Sequence, residues 1–269
     1  MLLCIDIGNT TIGVGTFRDP LHGKGFSLTK IPTHPARTAG EYREILAGII
    51  AAKKPRKGDD MEAIIASVVP PATGPVKEAL RDICGRPPLM VDHRSTCGLS
   101  FPVKNPELIG PDRIANAAAG FHRTGSATAV VDCGTATTVT VVDRKGGFRG
   151  GAILPGIGLM HDALHTRTAR LPQIPVVLPR KILGNDTASA MASGIVFGTA
   201  CAIDSLVQGM EKELGFRLQL VLTGGYSKLI LPLTAAGKGH LPLKKLKDCA
   251  VIPHLTFEGL RVIYTYYIL

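Results

Sequence analysis

The sequence predicts an α/β protein built from two tandem, related halves. Three observations carry that prediction. Short runs rich in Val, Ile and Leu alternate along the chain with segments of helical apolar spacing. The alternation restarts near residues 115–125. One turn also occurs twice in the same setting, as an apolar run, then Asp-x-Gly-x-x-Thr, then a second apolar run, at Asp6–Thr11 and again at Asp132–Thr137. The halves are therefore placed at residues 1–117 and 118–269.

In the first half, Leu2–Ile7 and Ile12–Phe17 read as two strands joined by the tight polar turn DIGNTT, and Glu41–Ala52 has the spacing of an amphipathic helix. Glu62–Pro71 reads as a buried strand ended by prolines. A helix is expected from near Pro75, and a short strand in PLMVD. Cys97–Gly110, with two prolines and two glycines, reads as a loop that delivers the chain to a small-residue helix, PDRIANAAAGF. In the second half, strands are expected at Ala127–Val131, Val139–Asp143, Gly151–Leu154 and in QLVLTGG. Helices are expected at Leu159–Thr168, Thr187–Leu214 and His254–Tyr267.

Composition bounds the function. The chain has 269 residues, 45% hydrophobic against 19% charged, which is globular rather than disordered. It lacks Trp, so its core is mostly aliphatic. The net charge is +10, with +3 in residues 1–117 and +7 in 118–269, a balance that favours anionic partners such as nucleotides and phosphorylated metabolites. The six cysteines form no C-x-x-C pair, so a zinc cage or redox motif is not expected and reduced thiols are. With no basic leader and no stretch of about eighteen uninterrupted apolar residues, a soluble cytoplasmic protein without a membrane partner is expected.

The chemistry sits in the repeated turn. Glycine lets backbone N–H groups approach a phosphate closely, because it has no Cβ and tolerates positive φ. Thr10, Thr11, Thr135 and Thr137 add hydroxyl donors, and Asp6 and Asp132 can hold the cations that accompany phosphates. One copy would read equally well as an ordinary hairpin turn. Two copies in matched settings point to a pair of loops that clamp a nucleotide polyphosphate in a cleft between the halves. Neither a G-x-x-x-x-G-K-[ST] loop nor a strand-linked G-x-G-x-x-G is present, and the protein-kinase signatures are missing too.

The ordered set DIGNTT (Asp6–Thr11), SVVPP (Ser67–Pro71), GPDR (Gly110–Arg113), DCGTATT (Asp132–Thr138), GGAILPG (Gly150–Gly156) and LTGG (Leu222–Gly225) resembles the type III pantothenate kinases. That resemblance spans nearly the whole chain. It implies two tandem actin-like (ribonuclease H-like) domains with ATP between them, and ATP-dependent phosphorylation of pantothenate on its 4′-hydroxyl. Asp112 then matches the general base, and Arg113 beside it suits the pantothenate carboxylate through a two-pronged hydrogen bond. Gly110, Pro111, Thr187 and Val103 fall at substrate-binding positions. Asp6, Ile7, Gly8, Asn9, Thr10, Thr11, Ile12, Gly13 and Thr135 fall at ATP-binding positions. Asp6 is expected to position Mg²⁺ on the phosphates and Asp132 to bind a monovalent cation, potassium or ammonium. Many members carry Tyr where this chain has Val103 and a basic residue where it has Asn185. The resemblance also implies a homodimer, with the Ala-, Ser- and Gly-rich helix from Thr187 through Gly209 flat enough for close packing.

Other features have plainer readings. His161 and His165 stand at i and i+4 in HDALH, a metal-ligand spacing, but without the Glu of H-E-x-x-H they read as a partly buried or dimer-facing helix surface. Cys133 lies inside the turn without a partner His and reads as a packed small residue. The basic run Lys238–Asp248 has no aromatic interleaving, so a solvated face is expected rather than a nucleic-acid patch. A second function class, a non-catalytic transcriptional accessory protein of the same family, is disfavoured by the presence of Asp6, Asp112 and Asp132. A pure binding module would not set three acids against an anionic ligand. A sugar kinase on the same fold is set aside by GPDR.

Overall fold

The computed structural model describes residues 1–54, 60–95, 97–234, 241 and 243–269. Its elements in chain order begin with β1 (Leu2–Ile7), β2 (Thr11–Phe17), β3 (Ser27–Pro32), α1 (Ala39–Ala51), β4 (Glu62–Ser67), α2 (Pro70–Cys84), β5 (Leu89–Met90) and α3 (Pro111–Thr124). They continue with β6 (Thr128–Cys133), β7 (Ala136–Val142), β8 (Phe148–Pro155), α4 (Ile157–Thr166), α5 (Thr187–Leu214), β9 (Gln219–Thr223), α6 (Ser227–Thr234), β10 (Ala250–Val251) and α7 (Leu255–Ile268).

Two five-stranded sheets result, and they share one topology. The first runs β3-β2-β1-β4-β5 and the second, read from its other edge, β8-β7-β6-β9-β10. In each, the central strand pairs antiparallel with the strand that follows it and parallel with a strand reached by a helical crossover. The repeat expected from the two Asp-x-Gly-x-x-Thr turns is thus a repeat of architecture.

Why β1 is apolar at almost every position follows from its surroundings. Leu3, Ile5 and Ile7 join a cluster with Tyr42 and Leu46 of α1 and Val76 and Leu80 of α2. Leu2 and Cys4 face the other way, toward Ile114 and Ala118 of α3 and Leu260 and Ile263 of α7. A strand covered on both faces needs both of its period-two faces apolar. In the second sheet, the alternate residues Ala129, Val131 and Cys133 of β6 and Val139 and Val141 of β7 pack with Ile195, Ala200 and Ile203 of α5.

The chain divides into one compact unit of Met1–His122 with Leu255–Leu269 and a second of Arg123–His254. The last helix, which a linear division at 117/118 leaves with the second half, packs on β1 and β4 of the first sheet. Glycines make that contact close. A Cβ at Gly13 or Gly15 of β2 would lie 2.5 or 2.6 Å from the Phe257 ring, and one at Gly259 would lie 1.9 Å from the Ala115 carbonyl oxygen.

Several boundaries differ from the sequence reading. The prolines after β4 open α2 instead of merely ending the strand: Pro70 and Pro71 occupy the first turn, where no N–H is needed, and Pro75 lies within the helix. Ser67 and Thr73 brace that entry, their hydroxyls 2.6 Å apart and the Thr73 hydroxyl donating to the Val69 carbonyl at 2.9 Å. Three elements had no legible signal. β3 is a polar edge strand, β10 has two residues, and α6 carries an internal proline. α5 is long and apolar enough to cross a membrane by length and composition, yet 61% of its apolar window is buried inside the protein. Part of the basic run 238–248 lies outside the described residues; Leu246–Asp248 form one turn of 3₁₀ helix.

These contacts give one substitution opposite signs at two sites. Gly259→Ala must push α7 off the α3 backbone and is expected to cost at least about 2 kcal/mol. Gly48→Ala, on the exposed side of α1 with open space above it, is expected to stabilise by about 0.5–1 kcal/mol. Chemical denaturation of the two variants checks both.

Candidate functional site

In the first unit, three of the quoted motifs converge on the carboxyl ends of β1 and β4, the end of a parallel pair where ligands are usually held. Asp6 lies opposite Gly13 of β2 and Ala66 of β4. The turn that follows is closed by the Gly8 N–H donating to the Thr11 carbonyl at 3.0 Å. Thr33, just past β3, braces it from outside: its hydroxyl donates to the Gly8 carbonyl at 2.6 Å and its N–H to the Thr10 carbonyl at 3.1 Å. Asn9, Thr10 and Thr11 are left exposed. Ile7 and Ile12 bury their side chains in the core, and Gly13 lies under Phe257, so at these three positions only backbone can face a ligand.

Val68 joins this turn to the Gly110–Arg113 motif. Its N–H donates to the Ile7 carbonyl at 3.1 Å, and a Cβ at Gly110 would meet its Cγ1 at 3.7 Å. That same Cβ would lie 2.4 Å from Asp112 Oδ1. Only glycine leaves room for the Asp112 carboxylate in this position. Pro111 begins α3, and the N–H groups of Arg113 and Ile114 both donate to the Gly110 carbonyl, at 2.9 and 3.1 Å. Burial raises the Asp112 carboxyl above the usual carboxylate range, against the opposing pull of the Arg113 N–H and guanidinium. Burial likewise lowers the Arg113 guanidinium, with the charge of Asp112 opposing. Val103 is half-buried in the loop before α3, its N–H donating to the Phe101 carbonyl at 2.8 Å.

The second unit repeats the design with different braces. Asp132 and Cys133 end β6 opposite Thr138 and Thr137 of β7. The turn is closed by the Gly134 N–H donating to the Ala136 carbonyl at 3.1 Å, and Thr135 is exposed at its tip. Gly156, last residue of GGAILPG, donates its N–H to the Thr135 carbonyl at 3.1 Å; a Cβ there would lie 2.2 Å from that oxygen. Gly224 of LTGG, at φ +91°, closes on the other side, where a Cβ would fall 2.4 Å from Asp132 Oδ1 and 2.6 Å from the Cys133 backbone. The turn is enclosed by two contacts that no side chain permits. Cys133 is fully buried, and burial followed by the charge of Asp132 pushes its thiol up to about 12, which leaves it no nucleophilic role.

At the start of α5, Asp186 is the cap. Its carboxylate accepts the Ser189 N–H at 2.7 Å, so Thr187 is not needed for that task and stands exposed in the first turn. The long loop leading there is fastened by the histidines of HDALH. His161, buried on α4, sets Nε2 2.6 Å from the Ile174 carbonyl and Nδ1 3.0 Å from the Asp162 carboxylate, while His165 Nδ1 lies 3.2 Å from the Leu171 carbonyl. Under that clasp, Ile174 packs with Met191 and Ala192 of α5. The i, i+4 spacing serves loop anchoring.

Sequence reasoning missed Thr33, and it quoted Val68 only within SVVPP, without a role. Both act by touching the backbone of a turn that is distant in the chain, and no local pattern shows that contact.

A family model described as type III pantothenate kinase matches residues 2–209. A type III pantothenate kinase from Roseiflexus sp. (strain RS-1) is 39% identical over 266 residues, covering 98% of each chain. One from Dictyoglomus turgidum is 36% identical over 264 residues, again with 98% of each covered. Among solved structures, a conserved protein from Campylobacter jejuni described as a Baf family transcriptional activator superposes with a TM-score of 0.58 at 16% identity, covering 99% of this chain and all of its own, a likeness of fold alone.

The enclosed turn generates a paired test. Gly224→Ala combines a positive φ with a collision against backbone and is expected to cost at least about 2 kcal/mol. Its neighbour Gly225→Ala meets nothing and should stay within about 0.5 kcal/mol of the parent in thermal unfolding.

Proposed function

Because this chain belongs to the type III pantothenate kinase family, we propose that Asp112 is the general base of its reaction and that the two Asp-x-Gly-x-x-Thr turns hold the nucleotide phosphates and their cations. The reaction is the ATP-dependent phosphorylation of pantothenate to 4′-phosphopantothenate, the first step of coenzyme A biosynthesis. The observation that carries the proposal is the Asp112 carboxylate, half-buried at the start of α3, accommodated by Gly110 and flanked by Arg113.

Asp112 takes the proton of the 4′-hydroxyl as that oxygen attacks the γ-phosphorus; the bond to the β–γ bridging oxygen breaks and ADP leaves. A carboxyl raised by burial is a stronger base than an exposed one, and the N-terminus of α3 helps keep it charged. Arg113 binds the pantothenate carboxylate, and Gly110, Pro111, Val103 and Thr187 are assigned as further substrate-binding residues. Asn9, Thr10, Thr11 and Thr135 meet the phosphates through hydroxyl, amide and backbone donors, joined by the backbone of Ile7, Gly8, Ile12 and Gly13. A divalent metal accompanies ATP in this family and neutralises charge on its phosphates. Asp6 offers the oxygen ligand such a metal takes. Asp132, pressed against a Gly224 that leaves room for its carboxylate, is fitted to a monovalent cation, potassium or ammonium. Catalysis by positioning and charge neutralisation needs no covalent intermediate.

No observation favours the transcriptional reading, since likeness of fold does not carry function. We further place the protein in the cytoplasm, where six free thiols persist. Self-association as a homodimer is supported by the exposed Gly194 and Gly198 of α5, with open space above both.

Asp112→Asn is expected to lower kcat by about 10²- to 10⁴-fold. Its stability should not fall. A folded pKa raised above the unfolded one favours the protonated form, so the native carboxyl contributes stability at low pH that is lost as pH rises through the folded pKa. At neutral pH the variant should therefore melt no lower than the parent. The acid limb of kcat/KM should sit above the ordinary carboxylate range. Detection of 4′-phosphopantothenate by mass spectrometry, with potassium, ammonium or sodium as the only monovalent cation, tests base and cation together. Gly198→Glu should convert the dimer to a monomer by light scattering.

A further inference from the structure

The C-terminal end of α5 forms one wall of a groove of about 430 Å³ whose lining includes none of the residues proposed above for the kinase reaction. It is lined by Lys212, Arg217, Lys244 and Lys245, by one carboxylate, Glu211, and by Phe216. The acid is already committed. Glu211, 9% exposed, binds Lys245 Nζ at 2.6 Å, accepts the Leu218 N–H at 2.8 Å and lies 3.6 Å from Arg217. A second buried acid stands behind it: Asp204 accepts the N–H groups of Lys244, Lys245 and Leu246 at 3.0, 2.6 and 3.0 Å, and the Gln208 amide at 2.7 Å.

Asp204 thus fixes the backbone of 244–246 against α5 while Glu211 holds the Lys245 side chain, and together they keep Lys244 in the same groove as Lys212 and Arg217. Among the described residues Lys212 and Lys244 make no ion pair, and Arg217 is 84% exposed with only its long contact to Glu211. The negative end of the α5 dipole accounts for a cation in its last turn, such as Lys212. It does not account for Lys244, brought from another part of the chain. Like charges gathered in one concavity raise its potential and favour a multiply charged anion.

We propose that this groove binds a small molecule carrying two or more adjacent phosphate groups. Lys212, Lys244 and Arg217 supply the charge, and the half-buried Phe216 ring offers a face on which an aromatic base can stack. Within its own unit, the groove is separate from the Asp132–Thr137 turn and from Thr187. It lies at the start of β9, whereas Asp132 pairs with Thr223 at the far end of that strand, and α5 carries Thr187 and the groove at opposite ends of a helix roughly 40 Å long.

The test is titration of the ¹⁵N-labelled full chain with sodium tripolyphosphate at about 0.15 M salt, following the amides of Phe216, Lys245 and Leu246. Saturable shifts with a midpoint below about 1 mM are expected. In Lys212→Ala/Lys244→Ala the midpoint should rise at least about tenfold, while pantothenate phosphorylation and Tm stay unchanged. Lys212→Arg should retain the parent midpoint. ADP separates the two sources: tighter binding than tripolyphosphate, abolished by Phe216→Leu, identifies a nucleotide, and no advantage identifies inorganic polyphosphate. Absent or non-saturating shifts, or a midpoint unmoved in the double variant, would overturn the proposal.

Discussion

The constraint on which the rest of the structure depends is close backbone approach to a turn at the end of a central strand. In both units the turn after Asp-x-Gly is closed by one internal hydrogen bond and then braced by segments distant in sequence. In the second unit the braces are Gly156 and Gly224, each placed where a single Cβ would strike backbone. In the first they are Thr33 and Val68, which reach the turn carbonyls by side chain and by N–H. A turn satisfied from within and without keeps its geometry, with Asn9, Thr10 and Thr11 in the first unit and Thr135 in the second on its exposed side.

The architecture around these turns serves the same end. β1 is held between two helical layers, and β6 lies beside the long helix α5, so each Asp-x-Gly turn leaves a strand that cannot shift without disturbing a core. Glycines in β2 make room for the Phe257 ring and Gly259 lets α7 close on the α3 backbone, which ties the last helix of the chain to the first sheet and to α3. That closure also fixes the helix that presents Asp112: Asn116, one turn along α3, is buried and accepts a hydrogen bond from Thr256 of α7 at 3.0 Å.

Asp112 shows the cost of such a site. Its carboxyl is buried enough to be raised, and only the start of a helix and a neighbouring guanidinium offset that cost. A fold optimised for stability alone would put a neutral group there. The buried acids at the other end of α5 are different in kind. Asp204 and Glu211 are supplied with backbone N–H groups and a lysine, and their effect is structural: they pin a segment that returns from another part of the chain.

Much of this was legible in the residues alone. The two apolar runs around Asp6 and Asp132, the alternation of strand and helix, and the full extent of α5 follow from period and propensity, which are local properties. Asp6 and Asp132 were legible because their motif recurs in matched settings, and Asp112 because GPDR resembles the family's motif. What the sequence could not supply was anything defined by distant contact. β3 has no apolar alternation and exists because β2 offers it an edge; α2 starts at Pro70 because an N–H is dispensable there; α7 lies against the first sheet and α3 because Gly13 and Gly15 make room for the Phe257 ring and Gly259 admits the Ala115 backbone. The same holds for Thr33, for the histidine clasp on Leu171 and Ile174, and for the gathering of Lys212, Arg217 and Lys244 into one groove. Local chemistry determined which residues could act, and only tertiary packing decided which of them meet, because side-chain proximity across tens of residues is set by the core and not by the chain's own period.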